Sequence, residues 1–417
     1  MANRLQARLI PVASVFAANQ VNATVFRESP LVSWAGHQYA AFYDPSGEVV
    51  VACRERRAGA PWTFAPLGHR GAMRDAHNGI CLGISPDGLL HISYDHHGAP
   101  LRYRRGLAPG QVRFGPEVAM TGLRESRVTY PQFVGGPGGR YWFLYRDGAS
   151  GNGDLCLNAY DASGTWHPLH HPLISGEGRA SPYWWRPGVG RDGSLHLAWC
   201  WRRTGDGSTN RDVCYAVSRD GGATWGRTDG TPYRLPITAG QAEVADPVPE
   251  GSGLINSCSS GVDAGGRPHL VHYRNDPAGI PQVYHVHHDG GRWRAEAVTQ
   301  RTEPFTLQGG GTLRPPLARP DVFVTSSGTV LIVYRDDSAG GRVRASLADG
   351  PGYRSWTHQD LTDFPVGAWE PSHDPAAWRE ENRIELWVHR CEQGDHETTT
   401  GLGPQPAFVL CVSPTGA

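Results

Sequence analysis

The sequence predicts an all-β protein, a seven-bladed β-propeller of four-stranded antiparallel blades, in a single domain spanning residues 1–417. Three observations predict it. Glycine and proline are abundant (54 and 33 residues) while only 19% of residues are charged, the profile of many short strands joined by tight turns. A turn followed by an alternating apolar segment recurs seven times along the chain. The copies are also far apart: positions 88, 139, 193, 266, 328 and 383 are separated by 51, 54, 73, 62 and 55 residues, enough for a four-stranded sheet with its loops. Seven such sheets around one axis leave only short, protected edges.

The copies run in order as "AGHQYAAFYD" (35–44), "PDGLLHISYD" (86–95), "GGRYWFLYRD" (138–147) and "RDGSLHLAWC" (191–200). They continue as "GGRPHLVHYR" (265–274), "SSGTVLIVYR" (326–335) and, without glycine, "ENRIELWVHR" (381–390). No domain boundary interrupts them. The N-terminal "LIPVASVFA" alternates like a strand and should pair with the C-terminal "PAFVLCVS" to close the ring, because an open junction would expose two sheet edges. "SRDGGATW" (218–225) has the Ser-x-Asp-x-Gly-x-Thr-Trp form of the Asp-box of sialidase-type propellers. There Asp220 should cap turn amides and Trp225 pack beneath. "DASGTWH" (161–167) and "DGGRWR" (289–294) are worn copies. These are signals of fold and say nothing of a reaction.

Charge narrows the partners. Acidic and basic residues nearly cancel, 40 against 39, with no basic run, which argues against nucleic acid. The sequence holds no lysine, so lysine-dependent phosphate loops and Schiff-base chemistry are excluded and any bound anion must be gripped by arginine. Arginine favours a planar, two-pronged contact with a carboxylate. No apolar run reaches the length of a membrane span. The N-terminal segment, broken by Pro11 and Ser14, reads as a first strand rather than a signal peptide. The eight cysteines (53, 81, 156, 200, 214, 258, 391, 411) are scattered and form no Cys-x-x-Cys pair. Together these suggest a cytoplasmic protein with buried thiols, export to the periplasm or medium being the alternative. The oligomeric state is left open.

Histidines divide into two groups. His91, His196 and His269 occupy one repeat position just after the turn, which marks them as architectural. His77 and His97 do not recur, nor does Asn78. They lie twenty residues apart, before and after two strands joined at Asp87-Gly88. Antiparallel strands return the chain to its starting level, so both imidazoles can reach one face. In the next copy Tyr130 precedes Pro131, and Arg146 follows sixteen residues later, the length of a hairpin. Arg146 has two readings: an anion-binding group, or a strand-end partner of Asp147, since "YR" recurs at Tyr273-Arg274 and Tyr334-Arg335. His285, His287 and His288 in "YHVHHDG" alternate along a strand and read as an exposed blade edge.

"DAHNGICLGISPDGLLHISYDHHGAPLRYR", "TYPQF", "YRDGASGNGDLCLNAYD" and "DVCYAVSRDGGATW" together resemble the BNR-repeat propeller family that contains ulvan lyases and L-rhamnosyl-α-1,4-D-glucuronate lyases. The resemblance covers nearly the whole chain. It implies a carbon–oxygen lyase that cleaves a rhamnose–glucuronate linkage of a uronate-containing oligosaccharide, as found in ulvan or arabinogalactan, by β-elimination at C4. It implies His77, His97, Tyr130 and Arg146 as catalytic residues and Tyr183 as a further, substrate-binding residue; Asn78 and His96, adjacent to the two histidines in the sequence, are further candidates for binding substrate. Arg146 would neutralise the uronate carboxylate, His97 and Tyr130 would serve C5 and O4, and His77 would orient or bind the uronate. No cofactor is required for that chemistry. Some relatives carry a structural metal (zinc or calcium); here Arg211 stands where a histidine would be expected, leaving Cys200, Cys214, Cys258 and His272 as candidate ligands. Two other readings compete: a sialidase-like hydrolase clamping a carboxylate with Arg146, Arg274 and Arg335, or a non-catalytic glycan-binding propeller.

Overall fold

The computed structural model describes residues 5–20 and 29–414. Its strands assemble into seven antiparallel sheets, the seven blades of a β-propeller. Blade 1 is Leu31–Trp34, His37–Tyr43, Glu48–Glu55 and Thr63–Arg70. Blade 2 is Ile80–Ile84, Leu90–Tyr94 and Tyr103–Arg105, with Phe114 bridging Gly106 at its outer edge. Blade 3 is Val128–Gly135, Tyr141–Ala149, Asn152–Tyr160 and Trp166–Ser175, and gains the short strand His97–Ala99. In blade 4, Ser181–Trp184 and Gly188–Val189 both pair with Leu195–Arg202, followed by Asn210–Ser218 and Glu243–Asp246. Blade 5 is Ser259–Val262, Pro268–Asn275, Pro281–His288 and Trp293–Ala297, and blade 6 is Asp321–Val324, Thr329–Arg335, Val343–Asp349 and Thr357–Asp360. The expected four strands are thus regular only in blades 1, 5 and 6; the other sheets have three or five.

The seven sequence copies fall one to a blade. In blades 1 to 6 each is the turn before the second strand plus that strand itself, as in Leu90–Tyr94; in blade 7 the copy forms Ile384–His389, which follows the helix Pro375–Glu381 and is bridged to His373. Blade 7 closes the ring as expected: Leu5–Val15 pairs along Gln405–Pro414, which pairs with Ile384–His389. The N-terminus therefore supplies the outermost strand of the last blade. The 218–225 turn also folds as its sequence requires. Asp220 Oδ1 accepts from the Thr224 amide at 2.9 Å, Ser218 Oγ accepts from the Gly222 amide at 2.8 Å, and Trp225 is buried with its indole N–H on the Gly222 carbonyl. Asp161 and Asp289 cap their own turns at the equivalent place in blades 3 and 5.

Blades are cemented by aromatic residues. Trp142, Trp184, Trp185, Trp199, Trp201, Trp369 and Trp387 are almost wholly buried. Each removes on the order of 150–250 Å² from water. The repeat histidines belong to this core. His91 is held between Tyr103 Oη (2.6 Å) and Ser85 Oγ (2.9 Å), and His196 between Tyr215 Oη (2.6 Å) and Ser194 Oγ (2.8 Å). Burial pushes His91 down to about 3 and His196 to about 4, so both are neutral struts. His285 and His287 depart from the expected exposed edge. They are buried on the face of blade 5 that meets blade 6, against Tyr353, with His269 Nδ1 2.8 Å from His285 Nε2. Residues 285 and 287 share one face of the strand, and the following strand Trp293–Ala297 covers the edge. Among the described residues, no helix is long and apolar enough to cross a membrane.

Candidate active site

His77 and His97 meet at one end of the propeller axis. The pairing of Ile80 with Tyr94 and the Asp95 amide on the Gly79 carbonyl bring the two ends of the hairpin to one level. The imidazoles stack with ring centroids 3.8 Å apart and planes 14° from parallel. Asp75 joins them: its Oδ1 lies 3.1 Å from His77 Nδ1 and its Oδ2 2.6 Å from His97 Nδ1. It also accepts the His77 amide at 2.9 Å, a local turn bond that fixes carboxylate and ring together. Glu397, from blade 7, places Oε1 3.2 Å from the same His77 Nδ1.

Blade 3 supplies the rest by register. His97 pairs opposite Thr129, and Thr129 opposite Arg146, so the three share one row across the sheet. Tyr130 sits where that register shifts, at φ +59°, ahead of Pro131. A left-handed tyrosine is strained, and a bulge re-aims its side chain. The ring thereby lies 5.7 Å from that of His77 and 4.9 Å from the Arg146 Cζ. Arg146 is buried. Its Nη1 donates to Tyr183 Oη at 3.0 Å and its Nη2 to Thr129 Oγ1 at 3.2 Å, while Nε has no hydrogen-bond partner. The strand-end reading of Arg146 does not hold: Asp147 pairs instead with Arg124 and Arg127, and among the described residues no carboxylate lies within ion-pair distance of Arg146.

The electrostatics separate the groups. Burial would raise Asp75 and Glu397, but hydrogen bonds from His77, and from His97 to Asp75, hold both below the ordinary carboxylate range. Burial would lower His77, but the neighbouring Tyr130, Asp75 and Glu397 raise it well above an ordinary histidine. His77 is thus an imidazolium at neutral pH. His97, with its side chain 40% exposed, faces solvent and shows Asp75 a single Nδ1–H.

The structure brings His77, His97, Tyr130, Arg146 and Tyr183 together, and a cavity lined by His77, Tyr130, Arg202, Asn256, Leu307 and Arg319 adjoins them. It does not bring Asn78 or His96 to that cavity. Asn78 spends its amide on the Ala72 carbonyl (3.1 Å), bracing the 72–79 loop. His96 is buried, accepts the Arg102 amide at 2.8 Å on Nε2, and is pushed down by burial to about 3. The three-arginine clamp does not form either. Arg274 pairs with Asp246, while Arg335 is fully buried on backbone carbonyls and Asp337.

The candidate metal ligands do not fit a metal. Cys200, Cys214, Cys258 and His272 are all buried, yet no three of them bring ligand atoms within 4.8 Å of one another. His272 Nε2 instead faces Asp246 at 3.0 Å, burial pushes the Cys214 thiol up, and Arg211 pairs with Asp212. Zinc needs thiolates and imidazoles on one centre, and calcium needs oxygen ligands. Among the described residues, Asp75, His77 and His97 are the one group that does cluster within 4.8 Å. Their 2.6 Å closest contact is a hydrogen bond; ligands sharing a tetrahedral zinc stand about 3.3 Å apart.

Sequence reasoning missed Asp75, Arg202 and Glu397. Asp75 was within reach, two residues before His77. Arg202 ends the second strand of blade 4; its Cζ lies 4.3 Å from the Tyr183 ring centroid, and it donates to Asn210 (2.7 Å) and Asn256 (2.9 Å). Glu397 approaches from 320 residues downstream of His77 and has no local signal.

Comparison with known proteins agrees with the architecture. Among solved structures, the polysaccharide lyase Uly1 superposes with a TM-score of 0.72 at 15% identity, covering 99% of this chain and 100% of that one. An ulvan lyase described as a new polysaccharide lyase family gives 0.72 at 16% identity over 97% and 96% of the two chains. The same type of enzyme bound to -[GlcA(1-4)Rha3S]- gives 0.71. No curated protein sequence matches. The family model described as "BNR repeat-containing family member" matches residues 37–301, well over half the chain. The chain, with its repeated turn-and-strand unit and its seven blades, belongs to the BNR repeat-containing family.

Proposed function

We propose that the protein is a polysaccharide or oligosaccharide lyase that cleaves an L-rhamnose-α-1,4-D-glucuronate linkage by β-elimination at C4 of the uronate. One observation carries this: a buried arginine, Arg146, without a carboxylate partner among the described residues, beside a histidine pair and a strained tyrosine. A buried guanidinium is costly unless a negative group compensates it. A uronate carboxylate is such a group, and it matches the two-pronged geometry of arginine.

The proton at C5 is weakly acidic while the carboxylate is charged. Arg146 would offset that charge, most strongly as it develops enolate character. His97, its Nδ1 held against Asp75, would take the C5 proton on Nε2. The C5–H electron pair becomes the C4=C5 double bond, the C4–O4 bond breaks, and Tyr130 protonates O4 of the departing sugar. His97 then returns its proton, through solvent, to the Tyr130 phenolate. His77, held as an imidazolium, adds a second positive charge to the transition state. A hydrolase is less well supported, because the carboxylates here are already committed: Asp75 to both histidines, Glu397 to His77, the Ala76 amide and Thr312. The structural likeness to polysaccharide lyases supports the lyase reading at the level of fold.

The test is product chemistry. Incubation with oligosaccharides bearing rhamnosyl-glucuronate linkages should give a uronate with a C4=C5 double bond, seen by ultraviolet absorbance, with no mass gained. Fragments heavier by one water would mean hydrolysis and overturn the reading. Unchanged substrate would leave only binding.

A further inference from the structure

We propose that Glu397 is a positioning residue: with Asp75 it takes the Nδ1 side of His77, keeping that ring charged and leaving its Nε2–H to the cavity. The assignment of catalytic roles rests on the proposed lyase reading; the geometry of Glu397 does not.

The carboxylate is aimed with unusual care. Glu397 Oε1 accepts from the Thr312 amide (2.6 Å) and the Thr312 hydroxyl (2.8 Å), and Oε2 accepts from the Ala76 amide (2.9 Å). These bonds come from two separate parts of the ring, the connection entering blade 2 and the one entering blade 6. Both His396 and Glu397 have left-handed backbone, φ +60° and +65°. Non-glycine residues hold that conformation only where their surroundings fix it. Here the His396 amide on the Thr312 carbonyl (2.9 Å) and the imidazole facing the Gly310 carbonyl (3.1 Å) do so. The segment is bent to deliver one carboxylate to one imidazole.

That delivery resolves an electrostatic problem. Two imidazoles stacked at 3.8 Å repel if both are charged. Asp75 touches both rings, His97 at 2.6 Å and His77 at 3.1 Å, and by itself does not favour a charge on His77. Glu397 approaches His77 alone, 3.2 Å from Nδ1. The other charged or titratable groups facing His77 are His97 and Tyr130 from blade 3, while Arg202 and Arg319 line the adjoining cavity from blade 4 and the entry to blade 6. Arg319 is neutralised by Glu370 at 2.8 Å, so its charge weighs little on the ring. Burial opposes a charged His77, and Tyr130 with the two carboxylates outweighs it. The positive charge therefore settles on His77.

Glu397→Gln separates this role from a structural one, since an amide keeps the size and one acceptor oxygen for Thr312 but removes the charge. The measurement is NMR titration of histidine-labelled protein, with His77 assigned through His77→Gln. In the wild type His77 should half-titrate well above the ordinary value of about 6.5. In Glu397→Gln the midpoint should fall by about one pH unit or more, with thermal stability lowered only by the loss of the Ala76 amide's acceptor, and Glu397→Asp should restore part of the shift. If the lyase reading also holds, the alkaline limb of kcat should move down by the same amount, because activity is lost as His77 deprotonates. A His77 midpoint in Glu397→Gln within about 0.2 units of wild type would overturn the proposal. Should that variant fail to fold, Thr312→Val, which removes the hydroxyl bond to Oε1 and leaves only the amide one, should lower the midpoint in the same direction by less; no change would overturn it equally. A shifted midpoint in a protein without eliminase activity would keep the Glu397 role and reject the lyase.

Discussion

Two stacks of imidazoles stand in this propeller, and they do opposite things. His77 and His97 lie 3.8 Å apart at 14°. In blade 5, His269 and His285 lie 5.1 Å apart at 16°, and His285 and His287 5.0 Å apart at 15°. Ring geometry hardly tells them apart. Their surroundings do. The first stack touches two carboxylates, and its outer member reaches solvent. The second is sealed beneath Tyr353 and Trp356, with Asp263 no nearer than 3.8 Å to His269. Burial holds the second stack neutral, His287 down to about 4 and His285 well below the ordinary range, whereas His77 is raised. An imidazole becomes chemistry or architecture according to its partners, not its type.

The largest expected effect lies beside the charged stack. Arg146→Lys should lower kcat/KM by at least ~100-fold on a rhamnosyl-glucuronate substrate, since lysine keeps the charge but not the planar contact. Steady-state kinetics on the folded variant checks this, and near wild-type turnover would remove Arg146 from the reaction. A smaller loss is expected at Arg202, which lines the cavity without touching the histidines. Arg202→Gln should raise KM by about 10-fold with a lesser change in kcat, the mark of lost ground-state binding. An unaltered KM would place the substrate away from that wall.

The neutral stack should show itself through pH. His91, His196, His269, His285 and His287 have folded pKa values below the unfolded one of about 6.5. Below that pH the unfolded chain binds more protons than the native one, so stability falls as pH drops. Each such histidine contributes a slope of up to about 1.4 kcal/mol per pH unit. His77 has the opposite sign: its raised pKa stabilises the fold at low pH, and this is lost as pH rises through the folded value. Tm measured between pH 6.5 and about 4.5, above the range where carboxylates dominate, should therefore decline steadily. A flat Tm would mean that these five histidines are not held neutral.

Much of this was legible in the sequence. Six copies named the second strand of a blade, and the seventh named Ile384–His389 in blade 7, because turn chemistry and a period of two are local properties; ring closure followed from the edge argument. Recurrence correctly separated His91 and His196 from His77 and His97. Alternation failed for His285 and His287, read as an exposed edge yet buried, because facing the next blade depends on packing that no local pattern records. His96 was drawn to the site by adjacency to His97, but successive residues point to opposite sides. Arg146 could not be decided from "YR", since the partner of Asp147 comes from the loop before the blade, at Arg124 and Arg127. Glu397 was invisible, being local to nothing it touches.

The most direct test sets one member of each stack against the other. His97→Ala and His285→Ala are made in the same background, and turnover and Tm are measured for both. His97→Ala should lose on the order of 10³-fold in turnover, the contribution of a general base, with Tm nearly unchanged. His285→Ala should lose about 2–3 kcal/mol of stability by opening a cavity in the core, while its folded fraction keeps its turnover. If His97→Ala instead retained turnover within about 10-fold of wild type, or lost stability as His285→Ala does, the His77–His97 pair would be architecture too and the assignment of the site would be wrong.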